Sequence, residues 1–263
     1  MKQIRLALSG SGFLAPIHAG AICAFMDASV QIVEIAGTSG GSIAAALVAS
    51  GKTSAQIKAA SLADLPEDIL TFNPLALPQQ GYSTGNSLVR WLHKTIGPAT
   101  FGEESIPCTI MATDINEGKE YKFDSKGTPG VQLADACRAS ASVPFVYVPA
   151  NVNGTKLIDG GVCCNIPVDK LVVDSVPRIG IEVVDGTPAG ATTTFLKLAA
   201  QCLSTLMASN EDNLTEWAKQ TGATILLVNA TPYGFLNPAL DPQEKTDLFN
   251  RGYSAARAQI GKM

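Results

Sequence analysis

The first fifty residues repeat one unit, an apolar strand followed by a glycine-containing turn and a helix. In the first unit Gln3–Leu8 alternates like a strand, and residues 16–28 have helical spacing with a proline near the start. In the second, a β-branched strand at 30–36 leads through a tight turn at 37–41 into an alanine-rich helix at 42–50. Strands and helices that alternate in this way are typical of a parallel sheet with helices packed on it. We therefore predict an α/β fold of three layers, α/β/α, with a mostly parallel central sheet.

The rest of the chain continues this alternation without a repeat or linker, so we expect residues 1–263 to form a single domain. Further strands are predicted at 108–112, 120–123, 156–158, Arg178–Val184 and Thr224–Asn229, and helices at Asn86–Ile96, Leu133–Ser140, 194–208, 214–220 and from an Asp241 N-cap to about Ile260. Between them, residues 65–85 predict a long loop, because prolines and glycines interrupt it. Its apolar residues around Phe72 and Leu77 suit either a lid or a plain surface excursion.

Composition excludes several classes of protein. The net charge is −4 and 16% of the residues are charged, with no Lys/Arg cluster able to follow a phosphate backbone, so nucleic acid is not an expected partner. The six cysteines form no C-x-x-C pair, which predicts reduced thiols and no metal site; they are Cys23, Cys108, Cys137, Cys163, Cys164 and Cys202. Residues 6–26 carry no charge, but glycines and a proline interrupt them, so we expect no transmembrane segment. A cytoplasmic or membrane-surface location is favoured, with secretion as the alternative.

Histidine is scarce, and this limits the mechanisms available to the chain. It has 2 His, so a histidine base would have to be His18 or His93. His18 falls in the first helix, where we expect a structural role. His93 follows Trp91-Leu92 beside Lys94, as expected on a solvated helix face.

The pentapeptide Gly37-Thr38-Ser39-Gly40-Gly41 is a G-x-S-x-G between a predicted strand and a predicted helix. A nucleophile on such a turn needs glycines on both sides, so that the backbone can fold back and leave the hydroxyl exposed. The start of the helix would favour developing negative charge. We predict that Ser39 is a nucleophile; a simple turn and helix cap is the alternative.

The turn Gly10-Ser11-Gly12 occupies the corresponding place after the first strand. With Ala15 it also matches the G-x-G-x-x-A pattern of dinucleotide-binding proteins, but Asp27 precedes the second strand and Glu34 lies inside it, where neither could hold a ribose. Adjacent parallel strands would bring the turn beside Ser39. We therefore favour an oxyanion hole made by the amides of Gly10, Ser11 and Gly12.

A third motif, Asp159-Gly160-Gly161, follows a short predicted strand. A carboxylate at a strand end could accept the proton of Ser39, although the same sequence also suits an ordinary β-turn. Taken by itself, the motif leaves both interpretations open.

The ordered set of motifs resembles the patatin-like phospholipase family, lipid acyl hydrolases that use a Ser–Asp dyad without a catalytic histidine. The resemblance covers about residues 4–171. It rests on the motifs above together with His18 and Gly20 at the family's offsets, Ile106-Pro107, Ala112-Thr113-Asp114, the run from Ala139 to Pro144, Asn165 and Pro167.

The resemblance implies Ser39 as nucleophile, Asp159 as its base, and amides of the Gly10–Ser11–Gly12 turn as oxyanion donors, with no metal or cofactor. This chain departs from the family's turn, which usually has three glycines, any residue, arginine and glycine. Ser11 replaces the middle glycine, Leu14 stands where arginine is expected, and Ala15 replaces the last glycine. The missing cation makes neutral esters or acylglycerols more plausible substrates for this chain than for a typical member of the family.

The expected activity is hydrolysis of the carboxylic esters of phospholipids or acylglycerols through an acyl-enzyme, at a membrane or micelle surface. The low charge, the apolar loop and a stripe on the 194–208 helix (Phe195, Leu198 and Leu206) favour a lipid substrate, although core packing would also explain the stripe. The alternatives are an acyltransferase with the same serine turn, a dinucleotide-binding Rossmann-type protein, and a non-catalytic binding protein that keeps the fold.

Overall fold

A computed structural model describes residues 1–184, 198, 201, 205, 216–218 and 220–263 of the chain. Most of the predicted helix at 194–208, including Phe195 and Leu206, lies outside the described residues; only positions 198, 201 and 205 of it are described. The same holds for part of the predicted helix at 214–220. Among the described residues, no helix combines the length and the apolar character needed to cross a bilayer.

Strands and helices alternate along the first half of the chain. The strands are β1 (Gln3–Leu8), β2 (Gln31–Thr38), β3 (Gly81–Ser83), β4 (Cys108–Asp114), β5 (Lys119–Phe123), β6 (Phe145–Tyr147), β7 (Ala150–Val152), β8 (Thr155–Asp159), β9 (Arg178–Val184) and β10 (Thr224–Asn229). The helices are α1 (Pro16–Asp27), α2 (Gly40–Ala49), α3 (Ser54–Leu62), α4 (Asn86–Ile96), α5 (Leu133–Ser140) and α6 (Pro242–Ile260). Short 3-10 turns lie at Gly12–Leu14, Pro74–Gln79, Gly160–Val162 and Val168–Lys170.

The main sheet has the strand order β10-β9-β1-β2-β4-β8-β7, with β5 paired to β4. The five strands from β10 to β4 run parallel, whereas β5 and β8 are antiparallel to β4. The prediction of a mostly parallel α/β sheet with flanking helices is confirmed. Because β1 and β2 are parallel neighbours, the turns that leave their carboxyl ends meet at one edge of the sheet.

An overhang of β4 brings an antiparallel strand to that edge. Pairing with β2 ends at Met111, which lies opposite Thr38, and β4 continues to Asp114. The overhanging residues pair with β8, so that Ala112 lies opposite Asp159, the last residue of β8. The carboxyl end of an antiparallel strand therefore arrives level with the carboxyl end of β2.

A two-residue hairpin turn precedes β8. Val152 pairs with Thr155, leaving Asn153 and Gly154 as the loop, both at positive φ (52° and 83°). Positive φ at both central positions is the requirement of a type I′ turn, which Asn-Gly favours. This turn fixes how β7 and β8 are paired.

The two faces of the sheet are unequally covered. Leu6, Leu8 and Ile35 are fully buried in the large core, which also includes residues of α1, α2 and α6. The opposite face is lined by the small residues Ala7 and Ala36, which cluster with Val168, Leu171 and Ala218. A sheet buried on both faces accounts for the continuous apolar character of its parallel strands.

Several predicted boundaries need correction. The predicted turn at 37–41 shrinks to Ser39 alone, because β2 continues to Thr38 and α2 begins at Gly40. The predicted loop at 65–85 contains the 3-10 turn Pro74–Gln79 and the strand β3, which pairs with β6. Helix α3 was not predicted, nor were β6 and β7.

Candidate active site

Ser39 lies on a one-residue turn between β2 and α2, with φ 50° and ψ −123°. A positive φ is strained for any residue with a Cβ, so the surrounding structure has to hold it. The following residue has to be glycine, since a Cβ on Gly40 would lie 2.4 Å from Ser11 Oγ and 2.5 Å from the carbonyl oxygen of Gly12. The tight turn thus places Ser39 directly against the glycine turn that follows β1.

The structure brings Ser39 and Asp159 together. Ser39 Oγ donates a hydrogen bond of 2.6 Å to Asp159 Oδ2, while the amide of Gly161 donates to Asp159 Oδ1 at 2.8 Å. Both residues are 4% exposed. Each carboxylate oxygen therefore has one donor, and the pair is shielded from bulk water.

Burial sets the protonation of this carboxyl. Desolvation raises the pKa of Asp159 from 3.8 to about 6, and the hydrogen bonds from Ser39 and Gly161 limit the rise. The group is therefore mostly ionised at neutral pH but closer in pKa to a useful proton acceptor than an exposed aspartate is.

The end of α5 fixes the backbone of both residues. Ser140 Oγ accepts a hydrogen bond of 2.8 Å from the Ser39 amide and donates one of 2.5 Å to the Met111 carbonyl. The Asp159 amide donates to the carbonyl of Ser142 at 2.9 Å. The sequence analysis includes Ser140 in the run from Ala139 to Pro144 but gives it no role. No local sequence signal indicates one, because these hydrogen bonds form only when α5 packs on the sheet.

The glycine turn lies beside Ser39, but its three amides are not equivalent. The Gly10 amide donates to the carbonyl of Asn165 at 3.0 Å, which ties the turn to the loop after Asp159. Among the described residues, no carbonyl accepts from the amides of Ser11 or Gly12. The predicted set of oxyanion donors is therefore narrowed to Ser11 and Gly12, because the hydrogen of Gly10 is already used.

An apolar pocket opens at Ser39. Gly12 and Gly40 line it beside Ser39, and most of its wall is aliphatic or aromatic. The wall includes Phe13, Ile43, Leu47, Leu65, Ile69, Leu88, Trp91, Val143, Leu236 and Leu240. It also includes Lys245, whose buried ammonium is paired with Asp64 at 2.9 Å. Such a wall suits a hydrocarbon chain.

Neither histidine contacts the Ser39–Asp159 pair. His18 is fully buried with Nε2 2.8 Å from the Ser9 carbonyl oxygen, and burial lowers its pKa to about 4, so it is neutral at pH 7. His93 is partly exposed on α4 and lies 2.9 Å from Asp135. The buried position of His18 agrees with the structural role predicted for it, and His93 lies on the partly exposed face of α4 rather than at the candidate site.

The alternative of a dinucleotide site is not supported by the geometry at β2. Glu34 accepts hydrogen bonds from the Arg5 guanidinium at 2.7 Å and from the Val172 amide at 3.0 Å. The Glu34 carboxylate on β2 thus binds both Arg5 of β1 and the segment that precedes β9. The carboxyl end of β2 carries the Ser39 turn, and no acidic residue stands there for a ribose.

The family profile for patatin-like phospholipase matches residues 6–172 of the chain. This match covers more than half of the sequence and contains the glycine turn, Ser39 and Asp159. The chain belongs to the patatin-like phospholipase family.

Several curated proteins are similar to part of this chain. An uncharacterized NTE family protein of Mycobacterium tuberculosis is 30% identical over 190 residues, which is 72% of this chain and 51% of that protein. A probable lipid hydrolase of Invertebrate iridescent virus 6 is 29% identical over 56% of this chain and 46% of its own length. The lysophospholipase NTE1 of Pyricularia oryzae is 26% identical over 72% of this chain but 12% of its own length. The chain thus spans about half the length of these relatives or less.

Two solved structures share the fold. VipD from Legionella pneumophila has a TM-score of 0.62 at 14% identity, covering 100% of this chain and 67% of that one. The type III effector ExoU has a TM-score of 0.57 at 14% identity, covering 100% of this chain and 53% of that one. At this identity the likeness concerns the fold.

This patatin-like chain departs from its family at Leu14, where the resemblance implies an arginine. Leu14 is fully buried in the large core, so no cation stands at that position. The pocket-lining cation among the described residues is Lys245, and it already has a carboxylate partner. The pocket therefore offers little unpaired positive charge to a phosphate.

The described residues contain no group of three or more His, Cys, Asp or Glu side chains that could hold a metal ion. Cys23, Cys108, Cys137, Cys163 and Cys164 are free thiols. Cys202 lies outside the described residues.

Proposed function

We propose that this protein is a serine lipid acyl hydrolase that cleaves carboxylic esters through a Ser39–Asp159 dyad. The observation that carries the proposal is the 2.6 Å hydrogen bond from Ser39 Oγ to a buried Asp159, beside an apolar pocket. Membership of the patatin-like phospholipase family supports the same class of reaction.

In the first half of the reaction, Ser39 Oγ attacks the ester carbonyl carbon and Asp159 Oδ2 accepts the hydroxyl proton. The negative charge that develops on the carbonyl oxygen is stabilised by the amides of Ser11 and Gly12. When the tetrahedral intermediate collapses, the bond from carbon to the leaving oxygen breaks. Asp159 then gives its proton to that oxygen, and the alcohol departs from an acyl-enzyme.

In the second half, water replaces the alcohol. Asp159 accepts a proton from the water as its oxygen attacks the acyl carbon, and the same amides hold the new oxyanion. Collapse of this intermediate breaks the bond to Ser39 Oγ, which recovers the proton from Asp159. The products are a free fatty acid and the starting enzyme.

We place lipid as the substrate class on two observations. The pocket beside Ser39 is apolar along most of its wall. The segment around Pro74–Gln79 also exposes apolar side chains, with Phe72 at 45%, Leu75 at 74% and Leu77 at 58%. Exposed apolar groups in one segment suit contact with a micelle or membrane surface. Leu14 and the paired state of Lys245 favour esters without a phosphate, such as acylglycerols.

The test is hydrolysis of p-nitrophenyl esters of increasing chain length, together with labelling by a fluorophosphonate probe. We expect covalent labelling of Ser39 and higher kcat/KM for medium and long acyl chains than for acetate. Ser39→Ala should remove both, whereas Ser105→Ala should change neither, since Ser105 Oγ contacts the Val48 and Ala49 carbonyls at the far end of α2. Preference for acetate would contradict a lipid substrate. Efficient transfer to an added alcohol would favour an acyltransferase.

A further inference from the structure

The hydroxyl of Ser11 is an unusual group in this structure. Ser11 is 4% exposed, and its buried Oγ has no hydrogen-bond partner among the residues that the structure describes. Buried hydroxyls are normally hydrogen-bonded, because leaving one unpaired costs free energy. A buried polar group that stays unpaired in the free protein is a candidate for pairing with a bound molecule.

The position of this hydroxyl narrows what it could meet. Ser11 Oγ lies against Gly40, the residue that follows Ser39, only 2.4 Å from where a Cβ of Gly40 would stand. The Gly12 amide nitrogen lies 3.0 Å from the same point. Gly12, Ser39 and Gly40 all line the apolar pocket. The hydroxyl of Ser11 and the amide of Gly12 therefore both lie close to Gly40, the residue that follows Ser39.

The backbone of this turn keeps the amide of Ser11 independent of its side chain. Ser11 precedes the 3-10 turn Gly12–Leu14, and its carbonyl accepts from the Leu14 amide at 2.9 Å. Its hydroxyl makes no bond that shapes the turn. Replacing the hydroxyl by hydrogen should thus leave the turn and its amides in place.

We propose that Ser11 is a catalytic residue, whose Oγ–H donates a hydrogen bond to the oxyanion alongside the amides of Ser11 and Gly12. The hydroxyl keeps its proton throughout: it stabilises charge on the former carbonyl oxygen, and the proton of Ser39 still passes to Asp159. This role rests on the proposed hydrolase function. It also gives a use to the serine that replaces the family's middle glycine.

The experiment compares Ser11→Ala and Ser11→Gly with the unmodified chain and Ser105→Ala. We expect kcat on a long-chain p-nitrophenyl ester to fall about 10-fold or more in both Ser11 variants, with KM changed less than about twofold, as for loss of one oxyanion donor. The rate of Ser39 phosphonylation by a p-nitrophenyl alkylphosphonate should fall in parallel, because its phosphoryl oxygen would occupy the same position. Tm should stay within a few degrees of the unmodified value.

Comparison of Ser11→Ala with Ser11→Gly distinguishes a hydrogen-bond donor role of Ser11 from a packing role. A donor role predicts that alanine and glycine behave alike, since both lack the hydroxyl. A kcat loss confined to Ser11→Gly, or one that tracks a fall in Tm, would overturn the role. Unchanged kcat and labelling in Ser11→Ala would also overturn it while leaving the hydrolase intact. An unmodified protein that neither hydrolyses esters nor takes the label at Ser39 would overturn both proposals.

Discussion

Two strand-to-helix turns lie side by side at one edge of the sheet, and they differ in length. The turn from β1 to α1 occupies residues 9–15 and contains a 3-10 turn, whereas the turn from β2 to α2 is Ser39 alone. Their strands are parallel neighbours in register, with Leu8 opposite Gly37. Two neighbouring strand-turn-helix units therefore place a long turn beside a one-residue turn.

The difference in length assigns different chemistry to the two turns. The one-residue turn holds Ser39 at positive φ and directs its side chain to Asp159 beside the apolar pocket, which suits a nucleophile. The longer turn leaves the amides of Ser11 and Gly12 without a carbonyl acceptor among the described residues, which suits stabilisation of an anion. The proposed reaction needs both the nucleophile of one turn and the amides of the other. Substitutions in either turn therefore test the comparison.

The largest expected effect comes from removing the side chain of the short turn. Ser39→Ala and Ser39→Gly should both lower kcat by roughly 10³-fold or more, because no nucleophile remains. They should differ in stability: glycine accepts φ 50° without strain, so Ser39→Gly should exceed Ser39→Ala in free energy of unfolding by roughly 0.5–2 kcal/mol. Ester hydrolysis and urea unfolding measure the two quantities. A Ser39→Gly protein less stable than Ser39→Ala would show that the turn is not strained.

Asp159→Asn should come next, with kcat lowered about 10²- to 10⁴-fold through loss of the base. The folded-state pKa of about 6 exceeds the ordinary 3.8, so burying the ionised form destabilises the protein as pH rises from about 4 through 6. The amide variant avoids this cost. Its free energy of unfolding should therefore exceed that of the unmodified protein by on the order of 1–3 kcal/mol at pH 8, with little difference below pH 4. Urea titrations at both pH values would test the sign; a gap that is largest in acid would refute it.

Separating the two turns should cost less. Gly40→Ala places a Cβ within 2.5 Å of Ser11 Oγ and the Gly12 carbonyl oxygen, which pushes the oxyanion donors away from Ser39. We expect kcat to fall about 10- to 100-fold and the free energy of unfolding to fall by about 1–3 kcal/mol. Gly130→Ala is the matched control, since a Cβ there meets nothing within 4 Å. Equal activity of the two variants would mean that contact between the turns is dispensable.

The smallest expected effect concerns how activity depends on pH. The kcat/KM for a neutral ester should rise with pH through an inflection near 6, because Asp159 has to be ionised to accept the Ser39 proton. His18→Gln should keep the inflection, since burial lowers the pKa of His18 to about 4 and its partner is the Ser9 carbonyl. An inflection that disappears in His18→Gln would replace the dyad by a histidine mechanism.

Helix boundaries were well predicted where local chemistry defines them. Helix α6 begins after Asp241, whose side chain accepts from the Gln243 and Glu244 amides, and Pro242 is its first residue. Helix α3 was missed although Thr53 and Gln56 form a capping box, because Ile57 is its one buried residue and no apolar stripe marks it. A cap without an amphipathic pattern is a weak signal.

For the candidate site, sequence motifs predict Ser39 and Asp159 but not the residues that hold them in place. Ser39 and Asp159 stand in short motifs that local geometry requires. The bonds from Ser140 to Ser39 and Met111 join segments far apart in the chain, so only tertiary packing reveals them. The hydrogen bond from the Gly10 amide to the Asn165 carbonyl also joins distant segments and is visible only in the folded chain. That the chain forms a single domain stays a prediction.

The Asn153-Gly154 hairpin has a consequence for how this protein tolerates changes of length. A strand that slips by one residue turns every side chain to the opposite face of the sheet, and β8 ends at Asp159 only five residues after Gly154. One residue added to or deleted from this exposed turn would aim the carboxylate away from Ser39. We therefore expect the length of this turn to matter for the candidate site, even though both of its residues are exposed.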